Sequence, residues 1–149
     1  MVDDKLETLT DASPAVQIHL NILQGVIGRM SANSSSCKSW CITLVAGILV
    51  VAADKDKPVV TIIMLLPVLL FAALDIYYLK LEKGFRKSYD NFISKMHQRT
   101  LVGSDLYSVR PTGKAWELEW EAVKSPSIWA FYVPLVALAI FSASVISRP

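Results

Sequence analysis

The chain has 149 residues, 53% of them hydrophobic, and a net charge of +2 at pH 7. Its mean hydropathy of +0.42 is high for a soluble protein of this size, because a small soluble fold cannot bury so much apolar surface. The total charge gives no sign of nucleic-acid binding. The length allows one domain.

The first predicted element is an amphipathic helix that begins at Ser13-Pro14, where serine caps the helix and proline fits its first turn. Its apolar residues recur at steps of three and four: Val16, Leu20, Leu23, Ile27 and Met30. This stripe must pack on the membrane surface, on another helix of the chain or on a second subunit. Ser31–Ser36 then forms either a short polar break or a continuation of the helix.

Two apolar runs follow, Cys41–Ala53 and Val59–Leu74, separated by Asp54-Lys55-Asp56-Lys57 and Pro58. The pattern predicts a transmembrane hairpin, since alternating charges followed by proline are typical of a turn in water. A buried hairpin of a soluble domain is the alternative. The first run rises only ~20 Å at ~1.5 Å per residue, so the helix either enters the bilayer before it or thins the membrane.

Residues at the start of the first span have the types found at membrane interfaces. Lys38 extends its ammonium toward water, and Trp40 prefers the headgroup layer. Thr43 and Gly47, four residues apart, form a small face that favours close approach of a neighbouring helix.

The second predicted span, Val59–Tyr78, continues as a helix to about Gln98, with apolar residues at helical spacing from Phe85 to Met96. Asp75 is the one acidic residue within an apolar run, and such an acid suggests a functional site. Its place near the interface favours a structural role, with Lys80, Lys38 or tyrosine hydroxyls as partners.

The segment after this helix contains two turn clusters, Gly103–Asp105 and Arg110–Gly113, with a short strand predicted between them at Leu106–Val109. Lys114–Lys124 is then predicted to be a short helix that lies either in the headgroups or on a protein neighbour. The third span, Ile128–Ile146, is rich in small residues, including Ser142 and Ser144.

The distribution of basic residues sets the topology. Seven lie on one side of the predicted spans: Arg29, Lys38, Lys80, Lys83, Arg86, Lys87 and Lys124. Lys55, Lys57 and Arg148 lie on the other. This asymmetry places the N-terminus in the cytoplasm. Lys80, Lys83, Arg86 and Lys87 also fit contact with lipid headgroups, although topology alone explains them nearly as well.

The sequence has no signature of an enzyme. It contains no glycine-rich phosphate loop, no His-Glu-x-x-His and no Gly-x-Ser-x-Gly. Cys37 and Cys41 form neither a disulfide framework nor a zinc site. We therefore expect no catalytic residue, no metal and no cofactor.

A pattern near the N-terminus resembles that of a group of small bacterial inner-membrane proteins. It comprises Leu23-Gln24, Val26-Ile27, Arg29-Met30, Asn33-Ser34, Lys38, Trp40 and Thr43-Leu44-Val45. The resemblance covers roughly Asn21–Val51, and the chain departs from it at Ser35, Ser36 and Cys37, where bulky residues are usual. Some proteins of the group are encoded among antiviral-defence genes, and similar multi-span proteins act as effectors that depolarise the cell. The resemblance implies that Arg29, Asn33, Lys38 and Trp40 act together where the helix enters the bilayer.

We therefore expect an all-α membrane protein with three transmembrane helices, an amphipathic N-terminal helix and cytoplasmic helical extensions. The expected segments are a cytoplasmic part (1–37), a hairpin (38–80), a cytoplasmic helical part (81–125) and a third span (126–149).

The expected function is that of a homo-oligomeric pore-forming or membrane-perturbing effector of the bacterial inner membrane, and antiviral defence is the setting that the resemblance implies. The expected partners are membrane lipids and a cytoplasmic protein, with no nucleic acid. Candidates for pore lining or helix packing are Thr43, Gly47, Asp75, Ser142 and Ser144. A non-conducting anchor or regulatory subunit for a cytoplasmic partner is the alternative, and a small transporter is the third hypothesis.

Overall fold

The computed structural model describes residues 13–55 and 63–146, and that part of the chain is helical, with no strand. It contains four α-helices: α1 (Pro14–Lys55), α2 (Leu65–His97), α3 (Ala115–Val123) and α4 (Pro126–Ile146). A 3-10 turn, Gly103–Asp105, lies between α2 and α3. The predicted all-α class is confirmed.

Two helical segments of the described chain are long and apolar enough to cross a membrane, Pro14–Ala52 and Pro126–Val145. Only 22% and 17% of their most apolar 18-residue stretches is buried within the chain, whereas a core helix of a soluble domain is mostly covered. This favours a membrane location. Asp54 and Lys55 of the predicted hairpin tip lie at the end of α1, whereas the rest of the tip and the start of the second span fall on residues 56–62, outside the described residues. The second predicted span, Val59–Tyr78, and with it the count of three, therefore stays a prediction.

Helix α1 is continuous through Ser31–Ser36, which decides between the two interpretations of that stretch. Just after this stretch, Ser39 and Thr43 each donate a hydrogen bond to the carbonyl four residues earlier, so their hydroxyls are satisfied within the helix. Asn33 consequently lies in mid-helix, where backbone N–H groups already bond within the helix, so it does not cap the start of a membrane span.

Helices α1 and α2 pack against each other in antiparallel orientation. Gln24 contacts Tyr89 near one end of the pair, and Ser34 contacts Asp75 further along. At the far end Cys41 and Val45 lie in one apolar cluster with Met64 and Val68, joined by Ile128, Tyr132 and Ala139 of α4.

A second apolar cluster lies at the other end of the pair, where Val16 of α1 meets Phe92 of α2 and Leu101 and Leu106 of the following segment. Of the three partners considered for the N-terminal stripe, the structure therefore shows another helix of the same chain. The strand predicted at Leu106–Val109 was wrong. Leu106 instead follows the 3-10 turn and is buried in this cluster, where no neighbouring strand offers a backbone ladder.

The segment that leads into α3 crosses α2 at Gly84. The Thr112 N–H donates to the Gly84 carbonyl at 3.0 Å, and a Cβ on Gly84 would lie 2.7 Å from the Pro111 Cβ. Gly113 has a φ of 121°, which a residue with a side chain rarely adopts. The chain then enters α3, which agrees with the helix predicted at Lys114–Lys124.

Candidate functional site

A charged cluster joins α1 to α2 at the point where the more polar half of this helix pair meets its more apolar half. Lys38 and Ser34, one turn apart on α1, both face Asp75 of α2. The Lys38 Nζ lies 2.6 Å from one carboxylate oxygen of Asp75. The Ser34 hydroxyl donates to the other oxygen at 2.5 Å, and Lys38 also donates to Ser34 at 3.2 Å.

Burial makes this cluster energetically demanding. The Asp75 side chain is 0% exposed and that of Lys38 is 19% exposed. A carboxylate taken out of water costs several kcal/mol unless a countercharge and hydrogen bonds replace the solvent. Lys38 and Ser34 supply these, so the cluster fixes the register of α1 against α2.

Helix α4 places Tyr132 beside the same carboxylate. The Tyr132 hydroxyl is buried and lies close enough to the Asp75 carboxylate to experience its charge. The site therefore draws on three helices. Sequence reasoning identified Asp75 and Lys38 as one of several possible pairs, but it missed Ser34 and Tyr132; the one available signal was that Ser34 precedes Lys38 by one helical turn.

The other residues predicted at the membrane boundary do not join this cluster. Arg29 and Trp40 are exposed, the latter at 63%, and Asn33 is half-buried. Of the four residues that the resemblance groups together, Lys38 alone contacts Asp75 among the described residues. The Trp40 side chain stays exposed on the outer surface of α1.

The candidates for pore lining lie apart from the charged cluster. Thr43 and Gly47 are exposed on α1. The hydroxyls of Ser142 and Ser144 donate to carbonyls of their own helix, those of Leu138 and Phe141. Asp75 is sealed inside the protein, so within one chain its carboxylate faces no open path.

Three of the four basic residues proposed for headgroup contact have acidic partners. Lys80 pairs with Glu119 at 3.2 Å, Lys87 with Glu121 at 2.7 Å, and Arg86 with Glu82 at 2.8 Å. The fourth, Lys83, is half-buried. The first two pairs attach α3 to α2.

Helix α3 packs on a protein neighbour with one face and leaves its tryptophans outside. Leu118 and Ala122 are buried, whereas Trp116 is 64% and Trp120 is 57% exposed. Trp129, at the start of α4, is 56% exposed and donates from its indole N–H to the Val123 carbonyl. Of the two predicted environments of α3, the structure shows the protein neighbour, which is α2 of the same chain. Contact of the exposed indoles with headgroups stays a prediction.

Acid should weaken the segment after α2 through Asp105. The ammonium of Lys95, 2.8 Å away, and the Val102 N–H bond to Asp105 and hold its pKa below the ordinary value of 3.8, against the effect of burial. A pKa lowered in the folded state adds stability that is present above the unfolded pKa and lost as pH falls through the folded one. We expect acidification below about pH 4 to remove roughly 0.2–1 kcal/mol, and Asp105→Asn to abolish this part of the pH dependence. The measurement is the free energy of unfolding of the unmodified protein and of Asp105→Asn at pH 7 and pH 3. Equal losses of stability on acidification in the two proteins would contradict the prediction.

Within the described residues, no three His, Cys, Asp or Glu side chains lie close enough together to hold a metal ion. Cys37 and Cys41 are free and buried. The geometry thus defines an all-helical protein with two potential membrane-spanning helices and a buried ion pair between its two longest helices. Comparison with protein-family models, curated proteins and solved structures finds no match.

Proposed function

We propose that the chain is one subunit of a homo-oligomer that forms a pore in, or otherwise perturbs, the bacterial inner membrane. In this proposal three helical segments cross the bilayer and the N-terminus lies in the cytoplasm. The resemblance of the Asn21–Val51 region to small membrane proteins, some of them encoded among antiviral-defence genes, supports a role in such defence, and an excess of basic residues on one side supports the orientation.

The observation that carries the proposal is the uncovered face of α1 at Thr43 and Gly47. Among the described residues, nothing outside the α1 backbone lies within 4 Å of where a Cβ on Gly47 would sit. The face borders a shallow apolar groove of about 290 Å³, lined by Thr43, Leu44, Gly47, Ile48, Val51 and Ile63. Small residues four apart are where membrane helices approach one another closely. We place a helix of a second copy there.

Packing within one chain also bears on which surface a second subunit would use. Parts of the two apolar stripes pack on each other within one chain, with Val16 and Leu20 of α1 and Phe92 and Met96 of α2 in one cluster. Neither then requires a second subunit. Assembly in this proposal uses the membrane half, where Thr43 and Gly47 lie, and leaves the cytoplasmic half free for a partner.

Induced expression should collapse the membrane potential of the host cell, and Gly47→Ile should restore it. The added side chain fills the small face and keeps a second helix away, so we expect depolarisation to fall at least about tenfold for a loss of ~1.4 kcal/mol in association. A potential-sensitive dye in cells with matched amounts of inserted protein measures it.

Ala46→Ile is the matched control for this experiment. Ala46 is exposed as well, but it lies one residue earlier and points ~100° away around the helix. It should depolarise cells as the unmodified protein does. An unchanged potential with the unmodified protein, or equal loss in the two variants, would contradict the proposal.

The second candidate is a non-conducting anchor or regulatory subunit for a cytoplasmic partner. It is favoured by the hydroxyls of Thr43, Ser142 and Ser144, each of which donates to a carbonyl of its own helix. Among the described residues, these three candidates therefore offer no free hydroxyl donor to line a pore. Single-channel recording of purified protein separates the two candidates: an anchor is silent at every protein density, whereas a pore gives discrete currents.

A further inference from the structure

The extramembrane half of the hairpin contains a polar cavity that the proposed function does not use. Its volume is about 210 Å³, which is smaller than the ~300–1,000 Å³ of typical sites for drug-sized ligands. It lies between the start of α1, the end of α2 and the segment that joins α2 to α3. Its lining includes His19, Asn91, Lys95, Asp105, Ser108 and Arg110.

The charges around the cavity favour an anion. Two cationic side chains, Lys95 and Arg110, line it together with one carboxylate, that of Asp105. Lys95 is paired with Asp105 at 2.8 Å. The Arg110 guanidinium forms no ion pair within residues 13–55 and 63–146. Among the described residues, one positive charge at the cavity is therefore not compensated.

Several hydrogen-bonding groups that line the cavity have no partner among residues 13–55 and 63–146. His19 is 4% exposed, stacks on Phe92 with ring centroids 4.6 Å apart, and makes no hydrogen bond through its imidazole to any described residue. The side chains of Asn91 and Ser108 are likewise without a hydrogen bond in this part of the chain. The His19 nitrogens are not among the fully buried unpaired atoms of the described residues, and Asn91 and Ser108 are exposed. These polar atoms can therefore reach the cavity space, where a ligand or water can bond to them.

Part of the cavity lining is held in place by hydrogen bonds within the protein. Ser88 donates to the Arg110 carbonyl at 2.6 Å and lies 2.8 Å from the Thr112 hydroxyl. This anchors the joining segment to α2, so the cavity is held by the fold before any ligand arrives. A preformed site avoids much of the ordering cost of binding.

We infer that this cavity binds a small, soluble, phosphate-bearing molecule. A phosphate group offers several acceptor oxygens and a negative charge, which matches Lys95, Arg110, Asn91 and Ser108 as donors around one small space. A ligand there would contact α1, α2 and the joining segment at once and so favour their packed arrangement.

The position of the cavity argues against a membrane lipid as the source of the phosphate. Phe92 lies 17 residues beyond Asp75 on α2, which corresponds to ~25 Å along the helix axis. Asp75 marks the end of the apolar run. A headgroup in the bilayer surface would therefore have to leave the membrane to reach His19.

The test uses the full chain in phosphate-free detergent or nanodiscs, titrated with inorganic phosphate and, separately, with glycerol 3-phosphate up to about 10 mM, a range that detects millimolar affinity. Chloride at equal ionic strength is the reference. We expect a saturable shift of the His19 imidazole signals in a carbon–proton NMR spectrum with at least one of the phosphates. The same titration with short-chain phosphatidic acid in bicelles should leave His19 unchanged. No saturable shift with either soluble phosphate, or a shift with the lipid only, would overturn the inference.

Two variants check the residues. Lys95→Gln should weaken phosphate binding about tenfold or more, and Asp105→Asn, which removes the competing carboxylate but keeps an oxygen for the Val102 N–H, should tighten it. Lys87→Gln is the matched control, because Lys87 also lies on α2 and pairs with an acid, Glu121 of α3, but is outside the cavity lining. It should change binding less than about twofold. Equal weakening by Lys95→Gln and Lys87→Gln, or weakening by Asp105→Asn, would contradict the assignment.

Discussion

Lys38→Met should lower the free energy of unfolding by about 3–5 kcal/mol, because it leaves the carboxylate of Asp75 buried without a countercharge. Asp75 is 0% exposed, so it cannot recover solvation by a small movement. Its remaining described partner is the hydroxyl of Ser34. Reversible unfolding in mixed micelles, followed by circular dichroism, measures the change.

Replacement of Asp75 should lower the free energy of unfolding less than replacement of Lys38. In Asp75→Asn the amide oxygen still accepts from Ser34, and the side chain of Lys38, 19% exposed, can extend its ammonium toward water. The double variant Lys38→Met with Asp75→Leu should recover most of the loss, since replacement of a whole buried pair by apolar residues is often neutral. The cycle of single and double variants isolates the coupling between the two side chains.

Lys87→Met serves as the control for that cycle. Lys87 pairs with Glu121 at 2.7 Å, close to the 2.6 Å of the buried pair. The side chains of Lys87 and Glu121 are both more than 40% exposed. Water therefore replaces the lost bond, and the free energy of unfolding should change little. If Lys38→Met costs no more than Lys87→Met, burial does not decide the strength of the Asp75 pair.

The elements with strong local signals could be predicted from sequence. Pro126 follows a serine and precedes a long apolar run, and α4 begins there. The end of α2 at His97 also agrees with the predicted end near Gln98. These boundaries depend on capping and periodicity, which are properties of neighbouring residues.

The candidate site was only partly predictable, because its geometry depends on contacts between distant segments. The sequence identified Asp75 as unusual but offered Lys80, Lys38 and tyrosines as partners. Only the packing of α1 on α2 selects Lys38, and only the continuity of α1 through its serine-rich stretch brings Ser34 to the same face. The outcome at Ser31–Ser36 was open in the sequence, since serines fit both a break and a helix that has tertiary contacts.

The crossing at Gly84 shows the same dependence on distant segments. Gly84 has the sequence appearance of a bend in a long helix, yet its carbonyl accepts from Thr112 at 3.0 Å and its missing side chain admits Pro111. No periodicity in either segment indicates that they meet. The contact holds the joining segment against α2, and the same segment supplies part of the cavity lining.

Gly84→Ala should destabilise the protein by about 1–3 kcal/mol, the usual cost of an overpacked contact. The new Cβ would lie 2.7 Å from the Pro111 Cβ and 3.2 Å from Leu118 Cδ1. The Leu118 side chain can rotate, but the proline ring is part of the backbone and moves only with the whole segment. The measurement is the unfolding free energy together with hydrogen exchange of the Thr112 amide, whose protection should fall.

Gly28→Ala gives the opposite sign and so isolates the cause. Gly28 lies in α1 with nothing within 4 Å of a Cβ among the described residues outside its own helix backbone, and alanine in a helix interior is favoured over glycine by ~0.5–1 kcal/mol. That helix preference acts at Gly84 as well. If Gly84→Ala lowers the free energy of unfolding, the contact with Pro111 outweighs this helix preference. Equal stabilisation by Gly28→Ala and Gly84→Ala would show that the joining segment does not press on α2.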